Sequence, residues 1–258
     1  MDVNKLIADL TDILDKDPKV KALVLAGSFA RQLVYKAERY SDVEAYIVVE
    51  DDDVPVIESG LPGVVSKLGN VIFFYKNQWA GFSTVFEDDL FRLELPIAKL
   101  SEMSTVFNRP KAQVLKVLFD KTDGALEKVL DQRPETVDWS KKLADKIPDF
   151  WYMAIVGVQY LKKGELWNSI TVLRMLQSGV IKFWELQNDP AILLLEPNKR
   201  IEKFLTTEQL ANLKATTPNH DQDAVKSAYL KVLDIFSQVS PDHEIEDKVK
   251  PGLLELLE

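Results

Sequence analysis

The segment LAGSFARQLVYKAERYSDVEAYIVV, residues 25–49, contains the features from which the fold and chemistry of the first half of the chain can be predicted. An apolar run ends at Gly27 and Ser28, a polar and partly basic spacer follows, and apolar sequence resumes around Asp42 and Glu44. Both apolar parts predict β-strands. Because alternate side chains of a strand share a face, Asp42 and Glu44 are expected to point the same way.

This pair of acids suggests a cation site. Neighbouring carboxylates repel each other, and burying them is costly unless a cation lies between them. Magnesium commonly takes one or two carboxylates and completes its shell with water and nucleotide phosphates. Gly27 permits a positive φ and close approach of a ligand, and a helix starting at Ser28 or Phe29 would offer free amides to an anion. Arg31, one turn later, adds positive charge, so the segment predicts a nucleotide–magnesium site.

A third acid interrupts a later apolar strand, FRLELPIAK, at Glu94. An acid flanked by leucines can have a raised pKa and act as a general base, or it can be a further metal ligand. Each feature alone also has a simpler interpretation: Gly27-Ser28 as a turn, Asp42 and Glu44 as an exposed edge, and Glu94 as a partner of a nearby cation. The occurrence of all three in this order favours the functional interpretation.

The rest of the chain predicts an α+β protein with two domains. An amphipathic helix is expected over residues 2–15, ended by Pro18. Strands are expected over residues 20–28, 42–50, 71–77, 81–89 and 91–99. From about residue 111 apolar residues recur at three-and-four spacing, which predicts helices beginning with 111–132. The expected architecture is a mixed β-sheet with flanking helices in domain 1–132, followed by a helical bundle in domain 133–258.

Composition excludes several kinds of site. The 258 residues include no cysteine and two histidines, which argues against disulfides, thiolate sites and histidine-rich zinc sites. The net charge of −9 argues against nucleic-acid binding. There is no apolar run of about 20 residues, as a membrane span would need, and no secretory leader is visible. We expect a cytoplasmic protein, monomeric or homodimeric, with no membrane association.

The quoted segment, with its Gly-Ser pair, spacer and Asp-x-Glu, resembles the signature of the polymerase-β-like nucleotidyltransferases. Among them the chain is most similar to bacterial lincosamide nucleotidyltransferase and the aminoglycoside adenylyltransferases. The resemblance extends to VIFFYKNQWAGFSTVFEDDLFRLELPI, which corresponds to their strand–turn–strand segment ending in the catalytic glutamate. It also includes FWYMAIVGVQYLKKGELWNSITVL, which is similar to the first long helices of their C-terminal domain.

The resemblance implies roles for individual residues. Asp42 and Glu44 would be magnesium ligands, and Glu94 would be the general base or a further metal ligand. The residues that would contact the nucleotide are Gly27, Ser28, Arg31 and Ser41. The implied reaction is attack of a hydroxyl of a small molecule, such as an aminoglycoside or a lincosamide, on the α-phosphate of a nucleoside triphosphate, with release of pyrophosphate. The expected triphosphate is ATP. Two alternatives stay open: a transferase acting on a non-antibiotic acceptor, and a nucleotide-binding regulatory module without transferase activity.

The helical half is where an acceptor is expected to bind in such a protein. Its candidate lining residues are Trp151, Tyr152, Trp167 and Trp184, although aromatic residues at helical spacing more often belong to a core. The charged residues Lys162, Lys163 and Glu165 either contact a ligand or solvate a helix end.

Overall fold

The structure of the chain is a computed structural model that describes residues 1–30, 41–77, 81–190, 193 and 199–258. The chain divides into two compact units, Met1–Val137 and Asp138–Glu258. The boundary expected from the sequence, after residue 132, lies in the same connection, between a helix that ends at Asp131 and one that begins at Trp139. Each unit has an apolar core of its own.

The first unit is built on a mixed β-sheet. Its strands, among the described residues, are β1 (Val20–Ala26), β2 (Val43–Val49), β3 (Val71–Lys76), β4 (Phe82–Phe86), β5 (Arg92–Leu95), β6 (Ile97–Lys99) and β7 (Lys116–Asp120). Their order across the sheet is β3-β4-β5-β2-β1-β7, with β6 also paired to β2. Strand β2 runs antiparallel to β1 and parallel to β5 and β6.

Helices cover both faces of this sheet. The helices of the first unit, among the described residues, are α1 (Val3–Asp15), α2 (Gly27–Ala30), α3 (Val54–Val65), α4 (Met103–Val106) and α5 (Ala125–Asp131). Leu10 of α1 and Leu61 of α3 belong to the core on one face, and Met103 of α4 and Leu126 of α5 to the core on the other. Because β1 and β2 are covered on both sides, nearly all their residues are apolar, as their sequence runs indicated.

The helix predicted for residues 2–15 is present as α1. The Asp2 side chain accepts a hydrogen bond from the backbone N–H of Lys5 at 3.2 Å and caps its first turn. Leu6, Leu10 and Leu14, each four residues apart, form its buried stripe. The helix therefore forms where capping and apolar spacing agree.

The prediction of a continuous helix over residues 111–132 was wrong. The first part of that segment contains strand β7, which pairs antiparallel with β1, and the helix α5 begins at Ala125. The apolar residues of this segment fit either helical or strand spacing, and pairing with the free side of β1 selects the strand. The strand expected over 91–99 is also divided, at Pro96, because proline has no N–H to donate to a ladder.

The second unit is a helical bundle, as predicted. Its helices, among the described residues, are α6 (Trp139–Ala144), α7 (Ile147–Lys162), α8 (Leu166–Asn188), α9 (Ile201–Phe204), α10 (Thr207–Ala215), α11 (Gln222–Val239) and α12 (Glu244–Leu257). The core lies mainly between α7, α8 and α11, with α12 packed against α7. Among the helices of the described ranges, none is long and apolar enough to cross a membrane.

Candidate active site

The acids singled out in the sequence lie side by side on the sheet of the first unit. Glu44 of β2 and Glu94 of β5 are direct partners in the parallel register of these strands. Asp42 lies two residues before Glu44, so both belong to the same face. The negative charge of Asp42 also acts on Glu94, since it contributes to raising the pKa of the Glu94 carboxyl. The three acids are therefore neighbours in space, although Glu94 is far from the other two in sequence.

Glu94 has hydrogen-bond donors from the neighbouring hairpin. Ser83 of β4 is its partner in the antiparallel register, and the Ser83 hydroxyl donates to Glu94 Oε2 at 2.5 Å. The Asn77 amide donates to the same oxygen at 3.4 Å and to the Ser83 hydroxyl. Burial, aided by Asp42, raises the pKa of Glu94, and the bonds from Ser83 and Asn77 oppose it. The carboxylate is thus both oriented and shifted toward a more basic character.

Arg92 lies on the same face of β5 as Glu94, two residues earlier. Its guanidinium donates to Asp42 Oδ2 at 3.1 Å, and both side chains are partly exposed. From the sequence alone, Glu94 has a simpler interpretation as the partner of a nearby cation. The cation Arg92 is present on this face, but its hydrogen-bonded partner is Asp42. Arg92 therefore holds Asp42 at the start of β2 and competes with any other cation for that carboxylate.

The Gly27-Ser28 turn lies next to Glu44. Ala26, the last residue of β1, is the register partner of Glu44. Gly27 then adopts φ +66°, in the left-handed region that favours glycine, and a Cβ there would lie 3.5 Å from Glu44 Oε2. The short helix α2 starts at this glycine and includes the partly buried Ser28. The expected turn between a strand and a helix is therefore present beside the carboxylates.

Ser41 and Arg31 are the other two residues predicted to contact the nucleotide. Ser41 is partly buried and directly precedes Asp42. Arg31 lies outside the described residues, so its predicted phosphate contact stays a prediction.

Tyr46 lies next to Glu44 along the same face of β2 and belongs to the apolar core on that face. Tyr46 follows Glu44 by two residues on β2 and is almost fully buried. Burial raises its pKa to about 12; the charge of Glu44 adds to this effect, and the charge of Arg109 opposes it. The Arg109 guanidinium donates to the Tyr46 hydroxyl, while Arg133 donates to backbone carbonyls of the Arg109 loop, at 2.9 Å to that of Arg109 itself. The Arg109 side chain is thus fixed beside Tyr46.

Several of these contacts have no signal in the sequence. Ser83 and Asn77 carry no signal of their own, since their relation to Glu94 depends on the register of β4 and β5. Arg109 lies in a loop without periodicity. Arg92 differs from these, because alternation along its strand places it on the face of Glu94 as a possible partner, and only its bond to Asp42 depends on strand pairing.

The aromatic residues proposed for the helical half fall into two classes. Trp151 and Trp184 are 1% and 5% exposed and belong to the core of the second unit, which is the interpretation that aromatic residues at helical spacing more often have. Tyr152 and Trp167 are exposed. Lys162, Lys163 and Glu165 are exposed at the turn between α7 and α8, around Gly164 with its φ of +76°.

The donor chemistry of the site fits magnesium. Within the described ranges, no three side chains of His, Cys, Asp or Glu converge in a group that could hold a metal ion by themselves. Magnesium, however, is usually bound by one or two carboxylates together with substrate phosphates. Asp42 and Glu44 supply two such carboxylates on one face, next to a turn that could receive phosphates.

Comparison with known families gives one result that covers nearly the whole chain. A family model described as streptomycin adenylyltransferase matches residues 2–250. The comparison with curated proteins gives no match.

The solved structures to which this chain is similar have low sequence identity to it. An aminoglycoside 6-adenyltransferase from Bacillus subtilis is 12% identical, with 99% of this chain and 98% of that chain covered and a TM-score of 0.41. A spectinomycin adenyltransferase from Enterococcus faecialis, solved with ATP and spectinomycin, is 13% identical, with coverages of 98% and 97% and a TM-score of 0.37. The family assignment rests on the family model.

Proposed function

Because the chain belongs to the streptomycin adenylyltransferase family, we propose that it transfers AMP from ATP to a hydroxyl group of a small cationic aminoglycoside and releases pyrophosphate. Membership of the family makes the chain a nucleotidyltransferase. The observation that carries the finer proposal is the row of Glu44, Glu94 and Ser83, two acids and a hydroxyl donor on adjacent strands. The Gly27 turn, directly after Ala26, the register partner of Glu44, lies at the end of this row.

Glu94 acts as the general base. Its carboxylate is oriented by Ser83, and burial raises its pKa, so it is a better proton acceptor than an exposed glutamate. Arg92 donates to Asp42 at 3.1 Å. Within the part of the chain that the structure describes, the Glu94 carboxylate accepts hydrogen bonds from the neutral side chains of Ser83 and Asn77. These contacts favour the role of base over that of metal ligand.

Gly27 and Ser28 receive the phosphates of ATP. The positive φ of Gly27 allows the backbone to approach a ligand without a Cβ in the way, and Ser28 offers a hydroxyl at the start of α2. Arg31 is proposed to add a charged contact to the same phosphates. The carboxylates of Asp42 and Glu44 would hold magnesium beside this turn, and the bound ion would offset negative charge on the reacting phosphates.

The bonds made and broken balance without any further reactant. Glu94 accepts the proton of the acceptor hydroxyl, whose oxygen forms a bond to the α-phosphorus of ATP. The bond between the α-phosphorus and the oxygen that bridges to the β-phosphate breaks, and the electron pair leaves with pyrophosphate. The attacking and leaving oxygens lie roughly in line in such a transfer.

The proposal is tested by incubating the protein with magnesium, ATP labelled in its α-phosphate, and a panel of acceptors containing streptomycin, spectinomycin and lincomycin. We expect label to pass to an aminoglycoside, with release of one pyrophosphate per product and a product mass increased by one AMP group. Transfer to lincomycin alone would contradict the acceptor class. Binding of ATP and magnesium without pyrophosphate release with any acceptor would instead support a regulatory nucleotide-binding protein.

A further inference from the structure

The edge of the sheet carries an exposed aromatic pair on the same face as the acids. Phe73 and Tyr75 of β3 are 48% and 50% exposed, and their ring centroids lie 5.8 Å apart. Phe74, between them, points to the opposite face, where it stacks on Phe82 at 5.2 Å and joins the core. The exposed pair is therefore not part of the core to which its neighbours belong.

The strand register connects this pair to the candidate site. Tyr75 is the partner of Ser83, Ser83 of Glu94, and Glu94 of Glu44. Directly paired residues of adjacent strands share a face, so these four side chains form one row across the sheet. Phe73, paired with Val85, begins the next row, which continues to Arg92. Both aromatic rings thus lie beside the acids on the surface of the sheet.

The order of the row separates the two substrates. Gly27 follows β1, on one side of Glu44, whereas Tyr75 is on β3, on the other side of Glu94. If pyrophosphate leaves toward Gly27, an in-line attack brings the acceptor hydroxyl from the opposite side. That side is the one occupied by β4 and β3. With strands about 4.8 Å apart, Tyr75 lies roughly 10 Å from Glu94, within the length of a ligand of two sugar rings.

We propose that Phe73 and Tyr75 form a binding platform for a ring of the acceptor, beside the ring whose hydroxyl faces Glu94. This inference rests on the proposed function. Exposed aromatic faces attract ammonium and guanidinium groups and pack against the apolar face of a sugar or cyclitol ring. The three acids Asp42, Glu44 and Glu94 outnumber the two arginines on this face, Arg92 and Arg109, which adds attraction for a cation. The ligand class is therefore a cationic aminocyclitol or amino sugar.

The test compares the double substitution Phe73→Ala/Tyr75→Ala with wild type, using streptomycin as the acceptor. We expect the KM for streptomycin to rise about tenfold, with kcat and the KM for ATP near wild-type values, since the rings bind the acceptor without taking part in the chemistry. Tyr75→Phe should behave like wild type because it keeps the ring. Ile72→Ala is the matched control. Ile72 is 49% exposed on the same strand but lies at the register shift between Val71 and Phe73, so it is not a member of either row. Circular dichroism and thermal unfolding verify that the variants fold.

The other outcomes identify which idea fails. An unchanged KM for streptomycin in the double variant, with normal transfer by wild type, overturns the platform and leaves the proposed function intact. If the KM for ATP rises and the KM for streptomycin does not, the rings bind the nucleotide, and the acceptor assignment is overturned. Dissociation of a dimer without a change in KM makes the pair an interface between copies and overturns it as well. If calorimetry detects no streptomycin binding by wild type and no transfer occurs, the proposed function fails, and this inference fails with it.

Discussion

Replacing Gly157 by alanine should strongly destabilise the helical unit. Gly157 lies in α7, and a Cβ there would be 2.0 Å from the Tyr229 hydroxyl and 2.8 Å from Val172 Cγ1. Both neighbours are buried, Tyr229 in α11 and Val172 in α8, so neither can move into solvent to make room. The added methyl group must therefore force helices apart or displace Tyr229.

The expected cost follows from three contributions. Overpacking a close-packed core costs about 1–3 kcal/mol. Displacing Tyr229 also breaks its hydrogen bond to the Ser169 carbonyl, 2.7 Å long, which leaves buried groups unpaired at about 1–3 kcal/mol. The better helix propensity of alanine returns about 1 kcal/mol. We therefore expect Gly157→Ala to lower the free energy of unfolding by about 3 kcal/mol.

Urea unfolding followed by tryptophan fluorescence measures this change, because Trp151 and Trp184 are buried in the same unit. The matched control is Gly252→Ala in α12, where no atom lies within 4 Å of the added Cβ; it should stabilise the unit by about 0.5–1 kcal/mol. Adding Tyr229→Phe to Gly157→Ala should recover part of the loss by removing the clashing oxygen. A Gly157→Ala variant that unfolds at the same or a higher urea concentration than wild type would refute this packing.

Three further substitutions test other parts of the structure. Gly27→Ala should lower the free energy of unfolding of the first unit by about 1–2 kcal/mol, because alanine resists a φ of +66°; equal stability in urea would contradict that conformation. Burial raises the pKa of Glu185, which is 3% exposed, so the stability it contributes is full below its unfolded-state pKa of about 4.3 and is lost as pH rises through the native pKa. Glu185→Gln should therefore gain stability relative to wild type as pH rises to 7, which thermal melts at several pH values measure. A difference in melting temperature that does not depend on pH would argue against a raised pKa of Glu185. Burial favours the neutral form of Glu246, but hydrogen bonds including those from Ser237 and Lys250 lower its pKa overall. Glu246→Gln should therefore lower the free energy of unfolding at pH 7 by about 1–3 kcal/mol, and this difference from wild type should shrink below pH 4.

The sequence was most informative where a residue type conflicts with its surroundings. Asp42 and Glu44 open an apolar strand, so their position on one face could be predicted from alternation alone. Glu94 could be singled out because it stands between two leucines, but its place beside the other two acids depends on the pairing of β5 with β2. The Gly27 turn was likewise predicted, because few residues other than glycine tolerate its backbone conformation.

Features that depend on pairing between distant segments could not be predicted in this way. The bond from Ser83 to Glu94 requires the register of the β4–β5 hairpin, and the support of Tyr46 by Arg109 requires the path of a loop. Strand β7 was mistaken for helix because its apolar spacing fits both structures until β1 is present to pair with it. Helix α12 was not predicted, since it contains Pro251 and its polar contacts with α11 carry no sequence signature.

The most direct test of the central claim, that Glu94 is the base of an adenylyl transfer, is the substitution Glu94→Gln measured for both transfer and nucleotide binding. The matched control is Glu87→Gln, an exposed glutamate of the same hairpin that lies outside the row of acids. With ATP, magnesium and streptomycin, Glu94→Gln should reduce kcat by about 10²–10⁴-fold, the usual contribution of a general base, while the Kd for ATP stays near that of wild type. Transfer at the wild-type rate, or loss of ATP binding in proportion to the loss of transfer, would contradict the assignment.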